Sequence, residues 1–360
     1  MDVDRCAFDV LQLNTPLVES IRETIRAQGP QSFAWFMQQA LYHPEHGYYS
    51  SGRCVIGRKG DYFTNVSVGP LFGQLLASQF SEIWDRLGKA NDFVIVEQGA
   101  HDGQFARDVL DFVQKGSPEF FDALRYRIVE PFPILEKQQR RMLEPFGDKV
   151  EWVQSAGPFT GVHFSNELLD AMPVSSISDG MEKLVGLEDD RFVFVERPTD
   201  KTMFNQAALK FIDQIAANLQ RGYVIAIDYG FLDEQFEKNA KVRALHRNLD
   251  SPFEQIGDAD ITISVDWRSI IERAQAKGLR VTGFTDQHHF LTGILSQFES
   301  GDVAKSFLLD SRKAKRELQT LLHPEMLGRA FQVLALAKNA DVQTPPLAGF
   351  KFARQLDQSG

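Results

Sequence analysis

Cysteine is almost missing from this chain: among 360 residues only Cys6 and Cys54 occur, in unrelated surroundings. A disulfide framework and a CxxC metal clip are both excluded, and a reducing compartment is the natural setting. Long apolar runs are missing too. The longest, such as FQVLALA at 331–337, fall far short of the ~18–20 residues that cross a bilayer, so no membrane association is expected. Positive charge is not in excess either. The net charge of −10 repels polyanions, and the best basic run, SRKAKREL at 311–318, reads as one solvated helix side, so no nucleic-acid partner is expected. The first residues, MDVDRCAFDV, lack an apolar signal core and the Arg-rich, acid-poor character of a transit segment, which gives the expectation of a cytoplasmic protein. What remains is globular composition, 43% apolar and 24% charged, long enough for about two units or one enlarged α/β core.

Along the chain, Thr15-Pro16 marks a helix start, and Leu17, Ile21 and Ile25 recur every four residues until Gly29-Pro30. A second helix carries Phe33, Phe36, Met37, Ala40 and Leu41 on one stripe. After the turn-rich YHPEHGYYSSG, a third is expected around Leu71, Leu75, Leu76 and Phe80. From residue 93 the pattern changes. The runs FVIVEQGA, RYRIVE, KVEWV, GVHFSNE and GYVIAIDYG alternate with helical segments, which predicts parallel βαβ units in an α/β fold. EKLVGLEDDRFVFVER alternates as a hairpin about Glu188-Asp189-Asp190. A helix near 266–277, the strand LRVTGF and a last strand FQVLALAK complete the reading. The expected division is a mostly helical region at 1–90 with a covering loop, a core at 91–230 with a hairpin insertion near 181–197, a lid or partner-binding insertion at 231–265, the rest of the sheet at 266–340 and a tail at 341–360.

The strand VIVE runs through Gln98-Gly99-Ala100-His101-Asp102-Gly103 into a helix with Phe105, Val109, Phe112 and Val113 on one face and Asp102 as its expected N-cap. Glycines let the backbone turn sharply beside a ligand, and the exposed helix N–H groups favour an electronegative partner. Glu130 ends the next strand, where an acid can accept both ribose hydroxyls. This layout points to a nucleotide-type cofactor; a ligand-free turn and a solvent-facing strand end are the structural alternatives. In GAHDGQ, His101 and Gln104 stand where a dinucleotide fold has its second and third glycines, so NAD fits poorly. Glu97, two residues before the first glycine, suits the ammonium of an amino-acid-bearing cofactor and favours S-adenosyl-L-methionine (SAM).

These residues resemble the MidA-like class I SAM-dependent methyltransferases, which include mitochondrial complex I assembly factors. The landmarks are ALYHPEHGYY at 40–49, GDYFTNVSVGPLFGQLLA at 60–77, VEQGAHDG at 96–103, SNELLDAMPV at 165–174, IDYG at 227–230, GDADITISVDW at 257–267 and MLGRAFQVLALAK at 326–338. The resemblance implies a Rossmann-like seven-stranded sheet with a helical N-terminal extension, a SAM cofactor and a protein substrate, with arginine ω-nitrogen methylation the activity of the mitochondrial branch and a respiratory-complex subunit as a possible acceptor. By it, Glu97, Gly99 and Gly103 match the first SAM motif and Glu130 the ribose acid, while Ala100, His101, Asn166, Asp61, Phe63 and Thr64 complete the cofactor set. One departure stands out: His101 occupies the place of the family's middle glycine, which keeps a catalytically silent SAM-binding assembly factor open as an alternative, beside a methyltransferase of a small molecule.

Methyl transfer from a sulfonium is an in-line displacement in which positioning does most of the work. A guanidinium acceptor is cationic, so carboxylates are wanted to hold its fork and favour proton loss. Glu167 and Asp170 are the candidates, sharing one face if a helical turn begins there; the alternative is that Asn166 caps a helix whose positive end the acids suit. Tyr229 lines the acceptor pocket or is a core tyrosine. Asp61, Phe63 and Thr64 cover the cofactor or form a structural turn. His43 and His46 lack metal-ligand spacing; Asp258, Asp260 and Asp266 hint at a divalent cation, but their context matches the family's lid or partner surface better, so no metal is expected. The aromatic N-terminal helices, in a chain with 29 Phe, make a homodimer surface conceivable.

Overall fold

The computed structural model describes residues 16–52, 64–201, 205–232, 240–244, 247–298, 311–340 and 345–353. Helix α1 (Pro16–Gln28) buries Leu17, Val18, Ile21 and Ile25, the stripe its sequence spacing sets; Thr15, its expected cap, lies outside the described residues. Strand β1 (Gln31–Ser32) leads into α2 (Phe33–Tyr42), capped by Ser32 Oγ accepting the Trp35 N–H at 3.2 Å. The short α3 (Asn65–Val68) begins with a capping box in which Thr64 and Ser67 exchange side-chain and backbone hydrogen bonds. Helix α4 (Leu71–Arg86) follows, and then β2 (Phe93–Gln98), whose first five residues are buried in succession, as a central parallel strand requires. Next come α5 (Gln104–Gly116), α6 (Pro118–Ala123), β3 (Leu124–Val129), α7 (Pro133–Met142), β4 (Val150–Val153) and β5 (Phe159–Asn166).

Strands β6 (Ser176–Ser178), β7 (Met181–Glu188) and β8 (Arg191–Pro198) come next. The β7–β8 turn is Asp189-Asp190, both at positive φ (48° and 63°), the twist a two-residue hairpin needs. Helix α8 (Gln206–Asn218) precedes β9 (Leu219–Phe231), followed by β10 (Lys241–Ala244), β11 (Arg247–Leu249), β12 (Asp260–Thr262) and β13 (Val265–Asp266). The chain ends through α9 (Trp267–Ala276), β14 (Arg280–Asp286), α10 (Gln287–Leu295), α11 (Arg312–Leu322) and β15 (Phe331–Lys338). No helix among the described residues is long and apolar enough to cross a membrane.

The chain divides into two compact units. One, from Phe63–Asp170, Phe211–Phe236 and Val265–Gly360, holds a sheet in the order β14-β15-β9-β5-β2-β3-β4, with β13 beside the end of β9. Strands β4, β3, β2, β5 and β9 are parallel, and β15 alone runs against them, antiparallel to both β9 and β14, so that β14 points the same way as the parallel five. The chain order reverses between β2 and β5, and α/β sheets bind ligands at the carboxyl ends of strands at such a point. Phe105 of α5 stacks on Phe164 of β5 at 4.3 Å, and Phe80 of α4 meets Phe164 edge-on at 5.7 Å, which seals one sheet face. The other unit, from Met1–Tyr62, Ala171–Lys210 and Glu237–Ser264, holds an antiparallel sheet of β1, β6, β7 and β8 and a smaller one in the order β11-β10-β12. Within it, Phe36 packs edge-on against Phe192 and Phe253 at 6.2 and 5.4 Å.

Two local expectations change. The N-cap of α5 is Gly103, at φ 86°, and Asp102 contributes instead by accepting the Gln104 N–H at 3.0 Å. No helix starts after Asn166: residues 167–173 form turns, so Glu167 and Asp170 are not related by a shared helix face.

Candidate functional site

Two turns meet at the reversal of the sheet. The first follows β2, where Gly99, His101 and Gly103 take positive φ of 85°, 47° and 86°. A Cβ on Gly99 would sit 3.3 Å from Leu168 Cδ1, and one on Gly103 3.4 Å from Gln139 Cα, so at both places the bend leaves no room to spare. Histidine is among the side chains that tolerate the left-handed region, which His101 occupies here.

Buried acids flank this turn. The Glu97 carboxyl accepts the Tyr126 hydroxyl at 2.7 Å; burial pushes its pKa up to about 8, Tyr126 opposes the shift, and nearby Asp102 and Glu130 add to it. Glu130, also buried, accepts the Phe132 N–H at 3.0 Å and the Gln139 amide at 2.7 Å, and burial raises its pKa against both bonds. The same Gln139 Nε2 donates to the His101 carbonyl at 2.8 Å, and its Oε1 accepts the Trp152 indole N–H at 2.9 Å. Gln139 thus ties the glycine turn to the acid of the next strand. A bend without bulk at two glycines, bordered by two desolvated acids, fits an amino-acid-bearing nucleoside such as SAM.

The second turn follows β5 and is held differently. Asp228, buried at the end of β9, accepts the N–H groups of Leu168, Leu169 and Asp170 on Oδ2 at 3.0, 2.7 and 3.2 Å, and that of Tyr229 on Oδ1 at 2.8 Å. Burial raises its pKa, and these backbone donors counter the rise. Glu167 sits at φ 53°, unusual for a non-glycine residue and of a kind that clusters at functional sites. Its Oε1 accepts the Asn65 N–H at 3.2 Å and the Asn166 amide at 2.9 Å. Asp170 is buried, and the half-buried Tyr229 ring lies 3.9 Å from that of Phe331.

The structure therefore gathers Glu97, Gly99, Ala100, His101, Gly103 and Glu130 about the ends of β2 and β3, and Asn166, Glu167, Asp170 and Tyr229 about the ends of β5 and β9. Thr64 stands beside the second group as the N-cap of α3, and Asp61 and Phe63 lie outside the described residues. Four contributors escape sequence reasoning: Asn65, Gln139, Gln287 and the acceptor role of Asp228. Gln139 did leave a trace, since it and Leu135 are the buried positions of α7, and a polar residue on an apolar stripe asks for buried partners. His288 and His289 lie in the first turn of α10, where Asp286 caps by accepting the His289 N–H at 2.9 Å.

A family model described as "Putative S-adenosyl-L-methionine-dependent methyltransferase" matches residues 75–285, more than half of the chain. The Drosophila melanogaster mitochondrial protein arginine methyltransferase NDUFAF7 homolog is 24% identical over 391 aligned positions, covering 93% of this chain and 88% of its own length. The Homo sapiens mitochondrial protein arginine methyltransferase NDUFAF7 is 26% identical over 403, covering 96% and 87%. A Burkholderia thailandensis protein crystallised with S-adenosylhomocysteine (SAH) superposes with a TM-score of 0.81 at 28% identity, covering 94% of this chain and 95% of that one. These relatives correct one expectation. The cytoplasmic location does not stand, because the curated relatives are named as mitochondrial; location is an address read by receptors, and a folded core carries no trace of it.

Proposed function

From a chain that belongs to the S-adenosyl-L-methionine-dependent methyltransferase family, we infer a methyl transfer to the guanidinium of an arginine side chain in a protein. SAM is the cofactor and, when bound, supplies an electrophilic methyl group on a sulfonium. The residues of the β2 turn, Gly99, Ala100, His101 and Gly103, hold it by close backbone approach, with Glu97 toward its ammonium and Glu130 toward its ribose; Asn166 and Thr64 join them, and the family resemblance adds Asp61 and Phe63, which lie outside the described residues. Glu167 and Asp170 receive the acceptor's cationic fork, orient one nitrogen for in-line attack and favour loss of its proton, while Tyr229 lines the acceptor side.

One observation carries this reading: a left-handed Glu167, pinned by Asp228 through the following backbone N–H groups, beside the glycine turn at the carboxyl edge of the sheet. A strained acid held this firmly is pre-organised for a ligand. The naming of the relatives as protein arginine methyltransferases supports the acceptor class. The family resemblance extends the proposal to a respiratory-complex subunit as acceptor, and the aromatic N-terminal helices extend it to a homodimer.

The test is incubation with methyl-labelled SAM and extract from cells lacking this protein, followed by acid hydrolysis. Label is expected in methylarginine, and Glu167→Gln should lower its rate at least ~100-fold with SAH affinity unchanged by calorimetry. Label confined to lysine, histidine or small molecules would overturn the acceptor assignment.

A further inference from the structure

Gln287 is fully buried at the first position of α10, 222 residues from Asn65, to which its Nε2 donates at 2.8 Å. The same nitrogen donates to the Leu321 carbonyl of α11 at 3.2 Å. Asn65, equally buried, passes the pattern on: its Nδ2 donates to Asn166 Oδ1 at 3.0 Å, and Asn166 Nδ2 donates to Glu167 Oε1 at 2.9 Å. A second route is direct, from the Asn65 backbone N–H to the same Glu167 oxygen at 3.2 Å.

The direction of this chain is fixed by its ends. A peptide carbonyl at Leu321 accepts and cannot donate, and the carboxylate of Glu167 also accepts, so each amide between them has one possible orientation. Three side-chain amides therefore align head to tail, and the last of them, Asn166, donates to the Glu167 oxygen that also accepts the Asn65 backbone N–H. The elements that supply them are the starts of two helices, α3 and α10, each fixed by its own cap: Thr64 with Ser67 for one, and Asp286 accepting the His289 N–H for the other. Gln287 Oε1 is buried and has no partner among the described residues. Burying an unpaired amide oxygen is unfavourable, and a methionine of the same length would avoid it. An amide kept at such a position is better explained by what its nitrogen does than by stability.

We propose that Gln287 and Asn65 are positioning residues for methyl transfer: with Asn166 they form an amide relay that fixes the orientation of the Glu167 carboxylate toward the acceptor. This rests on Glu167 being the acid that receives the guanidinium. Asn166 also belongs to the cofactor enclosure, so the test falls on Gln287 and Asn65, which reach Glu167 without a hydrogen bond to the β2 turn and should leave cofactor affinity alone.

The variants Gln287→Met, Asn65→Ala and Asn65→Ser are compared with Glu167→Gln in the labelled-SAM assay with cell extract, alongside SAH calorimetry and amide hydrogen exchange. Gln287→Met removes the donors while keeping shape, and Asn65→Ser keeps a hydroxyl that both accepts and donates. The expected result is a fall of about tenfold or more in the maximal rate for Gln287→Met and Asn65→Ala. KM for SAM and Kd for SAH should stay within about twofold, and Asn65→Ser should recover part of the rate. Exchange of the Asn65 amide should speed up in Gln287→Met, which reads the relay without any acceptor present. Wild-type rates in Gln287→Met and Asn65→Ala, with Glu167→Gln inactive, would sink the relay alone. A full rate in Glu167→Gln would sink the acid assignment and the relay with it. Parallel losses of rate and SAH affinity would show a merely structural role and would also overturn the relay.

Discussion

Two turns leave neighbouring parallel strands at the same sheet edge, yet they are shaped by different physics. The turn after β2 is set by backbone conformation: Gly99 and Gly103 adopt left-handed φ that their own lack of a Cβ permits, and Gln139 adds a single clasp. The turn after β5 contains no glycine between Asn166 and Asp170 and holds a left-handed Glu167 all the same. Its shape is imposed from outside by Asp228, Asn65 and, behind them, Gln287. A self-determined turn tolerates changes elsewhere in the chain. An imposed turn fails when any of its distant partners is lost.

The strongest way to break this contrast is Asp228→Ala. It leaves four backbone N–H groups without their acceptor, those of Leu169 and Asp170 buried and those of Leu168 and Tyr229 half-buried. At roughly 1–3 kcal/mol for each group that cannot reach water, partly relieved by rearrangement, the expected loss is about 3–5 kcal/mol of stability. Methyl transfer should fall by at least ~100-fold because the Glu167 turn relaxes. Urea unfolding and the labelled-SAM assay check both. Asp228→Asn retains an acceptor oxygen and should lose much less. An Asp228→Ala protein with the stability and rate of the wild type would mean that the β5 turn holds itself.

The same contrast explains what was legible in the sequence. The βαβ order, the β7–β8 hairpin and the β2 turn could be read because their determinants are local: β-branched runs, two aspartates between alternating strands, and glycines between a strand and a helix. The acids Glu167 and Asp170 stood out only through their motif, and the helical turn expected for them does not form; Asp228, 58–60 residues away, accepts the N–H groups that a helix start would leave to a local cap. Asn65 and Gln287 were illegible for the same reason. An asparagine after a threonine and a glutamine after an aspartate look like ordinary helix starts, and nothing in one chain reveals that the two side chains meet. Asp61 and Phe63 lie outside the described residues.

A second prediction sharpens the difference on the β2 side through pH. Glu97 has a folded pKa of about 8 against 4.5 for the free side chain, so the folded protein keeps a proton that the unfolded chain has released. The stabilising contribution is complete below about pH 4.5 and declines as pH rises to about 8, by of order 1 kcal/mol per unit. Urea midpoints should fall across that window, and Glu97→Gln should flatten the slope. If Glu97 faces the ammonium of the cofactor, binding must ionise it, and SAH titrations at pH 7 in buffers of different ionisation enthalpy should show release of up to about one proton. Zero release, with affinity kept in Glu97→Gln, would remove Glu97 from the cofactor site.

The smallest effect is expected where the chain departs from its family, at His101. A histidine at φ 47° carries a backbone cost that glycine avoids, of order 1 kcal/mol, while glycine adds unfolded-state entropy of similar size. The two nearly cancel, so His101→Gly should change stability by less than about 1 kcal/mol and SAH affinity by no more than about threefold. Gly99→Ala is the counterpart. Its added Cβ must adopt φ 85° and approach Leu168 Cδ1 to 3.3 Å, with no compensating release elsewhere in the turn. It should weaken SAH binding by about 5- to 30-fold, given a strain of roughly 1–2 kcal/mol that falls on the loop and on the start of the neighbouring acid turn together. Calorimetry on the pair decides whether the bend or the residue identity matters: a large gain of affinity in His101→Gly would show that the imidazole obstructs the cofactor, whereas near-equality with the wild type leaves the left-handed bend itself as the binding determinant.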